Sequence, residues 1–241
     1  MSKSILWKCM YMARDLRSGA LFDAIKRYCH GDVLDVGGWD FFESIKKRKV
    51  GFDSWTVLEV ERQDVDLSDD PRVKLVIGDG CNMTFEDDRF DTILNIQVLE
   101  HVFEPIRMME EMTRVLKPGG IMIILLPTTS TMHMAPYHFY NFTRYWSEEA
   151  IRHCGLEKVS LTPLGGVWTS MASHLLYFVM QSVRVKGMSS PEIKRGLLFY
   201  LLYPFMLLFA ALSFPLCLLF GLGDLQEEAN NHLVVVRKPS N

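Results

Sequence analysis

Short apolar runs alternate with stretches of helical apolar spacing between residues 30 and 165. Upstream, to about Cys29, Leu16, Ala20, Phe22, Ile25 and Tyr28 recur at roughly helical intervals. The apolar runs predict strands over 33–36, 56–60, 73–77, 90–96, 121–126 and 156–161. Between the fourth and fifth, 104–116 reads as an amphipathic helix, stopped by Lys117-Pro118-Gly119-Gly120. Another helix runs from a Ser147 cap to Gly155, with Glu148 and Glu149 in its first turn, where the helix dipole favours acids.

Strands and helices joined by short connections imply a parallel sheet covered on both faces. The unbroken apolar character of the first, fourth and fifth strands agrees, because such strands are buried on both sides. In open sheets of this kind ligands sit beyond the carboxyl ends of the strands, so the residues that close each strand carry the functional expectation. The first strand runs straight into Gly37-Gly38, which lets backbone approach a ligand at the next helix. Glu59 closes the second, with Glu61 two residues on and facing the same way. Either acid can accept both hydroxyls of a ribose. Gly78-Asp79-Gly80 closes the third, and Asp79 can accept from an adenine amino group. The fourth ends in Asn95-Ile96-Gln97-Val98-Leu99-Glu100-His101.

Composition narrows the picture by exclusion. A formal net charge of -3 gives no electrostatic case for nucleic acid. The five cysteines are scattered without a C-x-x-C pair, which argues against a disulfide framework or a zinc site and for a reducing compartment. Residues 1–17 mix Lys3, Lys8, Arg14 and Arg17 among apolar positions and offer no secretory core, so a cytosolic chain is expected. The first strand is not followed by G-x-G-x-x-G, which speaks against a nicotinamide dehydrogenase.

Five motifs in order carry a resemblance: Val33-Leu34-Asp35-Val36-Gly37-Gly38, Ile77-Gly78-Asp79-Gly80, Phe90-Asp91-Thr92-Ile93, Val98-Leu99-Glu100-His101 and Arg114-Val115-Leu116-Lys117-Pro118-Gly119-Gly120. Over residues 30–165 the chain resembles the class I S-adenosylmethionine (SAM)-dependent methyltransferases, closest to the quinone, small-molecule and glycan branch. The resemblance implies a Rossmann-like, mostly parallel seven-stranded sheet, with 232–238 as the closing antiparallel strand. It implies SAM as cofactor, with Asp35, Gly37 and Gly38 by its methionine end. Glu59 would hold the ribose in preference to Glu61, Asp79 and Gly80 would meet the adenine, and Gln97 would lie near the amino-acid portion. The chain departs from the family at Trp39, where a further glycine is common.

For the chemistry, a proton must leave a hydroxyl acceptor as it is methylated, and histidine is the commonest side chain for that task. His138 and Tyr140, in the ring-rich segment 137–145 after the fifth strand, are expected at the acceptor pocket, with His138 as base. His101 either shares that role or orients a loop, and His133 is less well placed. The seven histidines form no evident set with nearby acids, so no metal is expected.

Leu197–Gly223 contains no charged residue. As one helix its 27 residues would be about 40 Å long, against a bilayer core of about 30 Å. A single crossing would separate the sixth strand from the seventh, and Pro204 and Pro215 are expected to break the segment. A helical hairpin in one leaflet, or helices lying in the interface, meets both constraints. Arg184, Lys186, Lys194 and Arg195 upstream could meet anionic headgroups. The competing reading is a buried subdomain or a contact between copies of the chain. The expected organisation is a helical cap (1–30), a SAM-binding core (31–165), an apolar insertion (166–225) and a closing strand (226–241). The expected activity is O-methylation of a membrane-presented acceptor, a lipid-linked or polysaccharide-pathway sugar, at the cytosolic face of a membrane. Quinone or lipid methylation, and a non-catalytic SAM-binding membrane scaffold, are the alternatives.

Overall fold

A computed structural model describes residues 19–39, 41–61, 70–184 and 194–240. The first 18 residues, including Leu16 of the expected N-terminal helix, and Lys186 lie outside the described residues. Helix α1 (Gly19–Tyr28) leads into β1 (Asp32–Val36), α2 (Phe41–Lys47), β2 (Ser54–Glu59), β3 (Val73–Ile77) and β4 (Phe90–Ile96). A short 3-10 turn, Leu99–His101, precedes α3 (Pro105–Val115) and β5 (Leu116–Pro127). Then come α4 (Arg144–His153), β6 (Glu157–Leu164), α5 (Val167–Ser182), α6 (Leu197–Phe220) and β7 (Asn231–Arg237).

The seven strands form one sheet in the order β3-β2-β1-β4-β5-β7-β6. β7 is antiparallel to both neighbours and the remaining pairs are parallel. This is the doubly wound, Rossmann-like α/β arrangement with one reversed strand. Alternate residues of each strand feed two cores. Leu34, Ile93, Met122 and Ile124 face α3 and its Met108, Met109 and Met112. Val33, Leu94, Ile121 and Ile123 face Leu21 and Ile25 of α1 and Phe42 of α2. A period of two over strands buried on both sides explains why these runs are apolar throughout.

Three local expectations are corrected. Lys117-Pro118-Gly119-Gly120 does stop α3, but it belongs to β5: a register shift against β4 and a left-handed Gly119 (φ +79°) absorb the extra residues. Gly119 and Gly120 exchange backbone hydrogen bonds with Lys238. The cap of α4 is Thr143, whose hydroxyl accepts from Trp146 N at 3.2 Å, while Ser147 is buried inside the helix. Pro204 and Pro215 do not end the apolar helix, since α6 runs through both for 24 residues, about 36 Å. Tyr203 and Phe205 flank the first proline and Phe214 and Leu216 the second, all within the helix, and a partner helix packs along it.

That partner is α5, laid antiparallel. Trp168 near its start meets Phe220 at the end of α6, with ring centroids 4.9 Å apart, and Phe178 near its end meets Tyr203 at 6.4 Å. The base of the hairpin is clasped by Asp224, which accepts from Trp168 N and Thr169 N at 2.9 Å each and from the Thr169 hydroxyl at 2.7 Å. The clasp is tight, because a Cβ on Gly166 would lie 2.4 Å from Leu225 O.

Candidate active site

The carboxyl ends of β1, β2 and β3 build one half of the site. Gly37 turns the chain at φ +71°, and a Cβ there would stand 2.7 Å from both Val98 methyls. Gly38 lies so close to Asp35 that a Cβ would overlap its carboxylate at 2.2 Å. Both glycines are therefore demanded by the turn. Trp39 follows with φ 38°, the left-handed region that favours the glycine expected there. Its N–H donates to Glu59 Oε1 at 2.6 Å, which fixes that acid against the glycine turn. Glu59 is half-buried, and burial raises its pKa. Glu61 lies beyond the strand and is exposed, so only Glu59 joins the turn.

Asp35 is fully buried, and its carboxylate has no hydrogen-bond partner among the described residues. Burial pushes its pKa up to about 8; the Trp55 indole works against this, while Glu59 adds to it. Asp79 is exposed at the end of β3, with Oδ1 accepting from Cys81 N at 2.8 Å, and Gly80 is buried beside it. Gln97 follows the end of β4. It is left-handed (φ 59°), and its amide reaches across the end of β5 to Asn231 Oδ1 at 2.7 Å. The next residue, Val98, packs against Gly37. A side-chain-free turn, an orphaned buried acid and a half-buried acid at the next strand end fit a cationic, ribose-bearing cofactor such as SAM.

The other half of the site comes from the β4 turn and the segment after β5. Glu100 O accepts from Phe139 N at 2.8 Å, and His101 Nδ1 meets Tyr137 O at 2.6 Å, so the 3-10 turn holds the ring-rich segment in place. His101, His133 and His138 come together, with ring centroids 4.6–5.7 Å apart. Burial depresses the pKa of His101 to about 4 and lowers that of His133, so both rings are neutral. His138 Nδ1 accepts from His133 N at 3.2 Å. A neutral ring bonded in that way carries its proton on Nε2, so His138 presents a donor where a base was expected. Tyr140 stands apart, donating its hydroxyl to Phe103 O at 3.0 Å and stacking on Phe142. His133, expected to be less well placed than His138, is at the centre of the cluster. Glu100, quoted only as part of a motif, is fully buried with both oxygens unpartnered among the described residues, and burial pushes its pKa up to about 8. No spacing rule could have joined these residues, which come from two separate loops.

A family profile described as a methyltransferase domain matches residues 39–124. Over that segment the chain is similar to SAM-dependent methyltransferases. A probable SAM-dependent methyltransferase of Mycolicibacterium smegmatis is 26% identical over 155 residues, 58% of each chain. A demethylmenaquinone methyltransferase of Clavibacter sepedonicus is 41% identical over 68 residues, 28% of this chain and 27% of that protein. The chain thus spans 58% or less of these two relatives. Among solved structures, the complex of the Haloferax volcanii Trm112 methyltransferase activator with its putative methyltransferase matches with TM-score 0.62. That match covers 96% of this chain and 93% of the other at 14% identity, and shows the fold.

Proposed function

We propose that the chain is a SAM-dependent methyltransferase whose acceptor is presented at the cytosolic face of a membrane. The leading form is O-methylation of a lipid-carried glycan. The observation that carries the membrane part is the placement of the hairpin. Thr129 donates to Ser170 near the start of α5 at 2.8 Å, and Gln181 at its end donates to Met132 O at 3.2 Å. The apolar hairpin is therefore bonded at two points to the segment that holds the histidine cluster. Only 11% of the apolar window of α6 is buried, and Leu197, Leu201, Phe205, Leu208, Phe209 and Leu212 all stand exposed.

Bound SAM would supply a methyl group activated by its sulfonium. The chain's own residues bind and orient it. Glu59 takes the ribose, Asp79 the adenine, and Asp35 with Gly37 and Gly38 the methionine end. His138 Nε2–H would hold the acceptor oxygen, with the rings of His101 and His133 beside it.

A quinone acceptor is the second reading, favoured by the local identity to a demethylmenaquinone methyltransferase. The deciding experiment incubates the purified chain with methyl-labelled SAM and membranes, then extracts lipid. Label in the lipid extract, divided by chromatography between glycolipid and quinone, supports the reading. Equal transfer to water-soluble acceptors without membranes overturns it. SAM binding with no transfer to any fraction makes the chain a scaffold.

A further inference from the structure

We infer that Glu100, His101 and His133 form a binding site for one divalent transition-metal ion, with Zn2+ the best fit, on the acceptor side of the site. One donor atom from each of the three lies within 4.8 Å of the others. Glu100 Oε1 stands 3.9 Å from His101 Nε2. In a tetrahedral zinc site with Zn–N near 2.0 Å the donors stand roughly 3.3 Å apart, so loading requires a contraction of about an ångström.

Two independent features point to a cation. The first is the ring orientation. His101 Nδ1 faces Tyr137 O at 2.6 Å and His133 Nδ1 faces Thr131 O at 3.0 Å. A carbonyl oxygen only accepts, so both Nδ1 atoms carry the proton and both Nε2 atoms offer a lone pair. That outer hydrogen bond, from one ring nitrogen to a carbonyl, is the support metal-ligating histidines almost always have. The second is the Glu100 carboxylate, buried with neither oxygen partnered among the described residues. A buried acid with no hydrogen-bond partner beside two imidazole lone pairs must stay protonated unless a cation binds, and a cation answers all three at once.

Two histidines and one carboxylate leave coordination positions open, the arrangement of catalytic rather than closed structural sites. His138 flanks the cluster but its Nδ1 is engaged, so it stands beside the ion as a hydrogen-bond donor. That an open position would meet an acceptor oxygen rests on the reading proposed above; the binding of the ion does not.

The test is titration of the tag-free, metal-stripped full chain with Zn2+ by calorimetry, with Co2+ absorption as the second readout. We expect one ion per chain, a cobalt spectrum without the thiolate charge-transfer band that Cys81 or Cys154 would give, and unchanged SAM binding. His133→Ala and Glu100→Gln should each weaken Zn2+ binding by more than about 100-fold, beyond the usual effect of removing an outer partner. SAM titration of each variant reports whether the domain is folded. The inference is overturned by absence of 1:1 binding, by a thiolate band, or by equal affinity in two folded variants. Loss of SAM binding by the unaltered chain would sink the methyltransferase reading and leave the metal result standing.

Discussion

Each residue at the strand ends has a separable consequence. Glu59 is tied to the glycine turn by the Trp39 amide, and removing a charge-assisted hydrogen bond costs roughly 1.5–3 kcal/mol. Glu59→Ala should therefore weaken SAM binding about 10- to 150-fold with the fold intact. Glu61→Ala should change little, and a reversed pair of calorimetric affinities would move the ribose to Glu61. Asp35 makes a pH prediction. Its folded pKa, about 8, lies above the unfolded value, so its contribution to stability is complete below the unfolded pKa and fades as pH rises through 8. The urea midpoint of the cofactor-free protein should fall between about pH 5 and pH 9, and Asp35→Asn should flatten that fall. An identical slope in the variant would remove Asp35 from the account. At Trp39, a left-handed non-glycine residue costs roughly 1–2 kcal/mol, against about 0.5–1 for glycine's extra freedom when unfolded. Trp39→Gly should accordingly raise the melting temperature slightly; a drop would show that the indole packs usefully.

The central strands were legible in the sequence because burial on both faces writes itself as apolar runs, and the half-exposed edge strand 73–77, like 90–96, also emerges with the expected bounds. Elements governed by neighbours were less legible. Nothing local told that Lys117 to Gly120 would continue β5, since the partner that accepts them is Lys238, at the far end of the chain. The prolines of α6 are breakers by local rules, and it is packing against α5 that carries the helix through them. The strand-end half of the candidate site was readable because the expected acids and glycines follow directly from where each strand ends. The acceptor half was not, because His101 and His133 meet only after the 3-10 turn and the segment after β5 have been folded together. At this scale the hairpin clasp gives its own expectation. Asp224→Ala removes a cap worth about 1 kcal/mol at the start of α5, and limited proteolysis should then cut the hairpin faster while SAM affinity holds. Unchanged protection would mean that α5 and α6 hold each other without the clasp.

For the molecule as a whole, the hairpin leaves from β6 and returns to β7, which lie side by side, with Leu164 opposite Asn231. If it rests in one interface, Lys194→Cys and Glu227→Cys should react with an impermeant thiol probe from the same side of a vesicle. Reaction from opposite sides would instead make α5 and α6 two crossings. Leu164, like Pro127 across from the same Asn231, closes its strand at the sheet edge where β1 and β4 also end. The hairpin therefore springs from the edge that carries the site. Anchored there, the enzyme would find its acceptor by lateral diffusion in two dimensions rather than from bulk solution. Its rate would then follow the mole fraction of acceptor in the surface, and diluting the acceptor with inert lipid would slow turnover at constant total concentration.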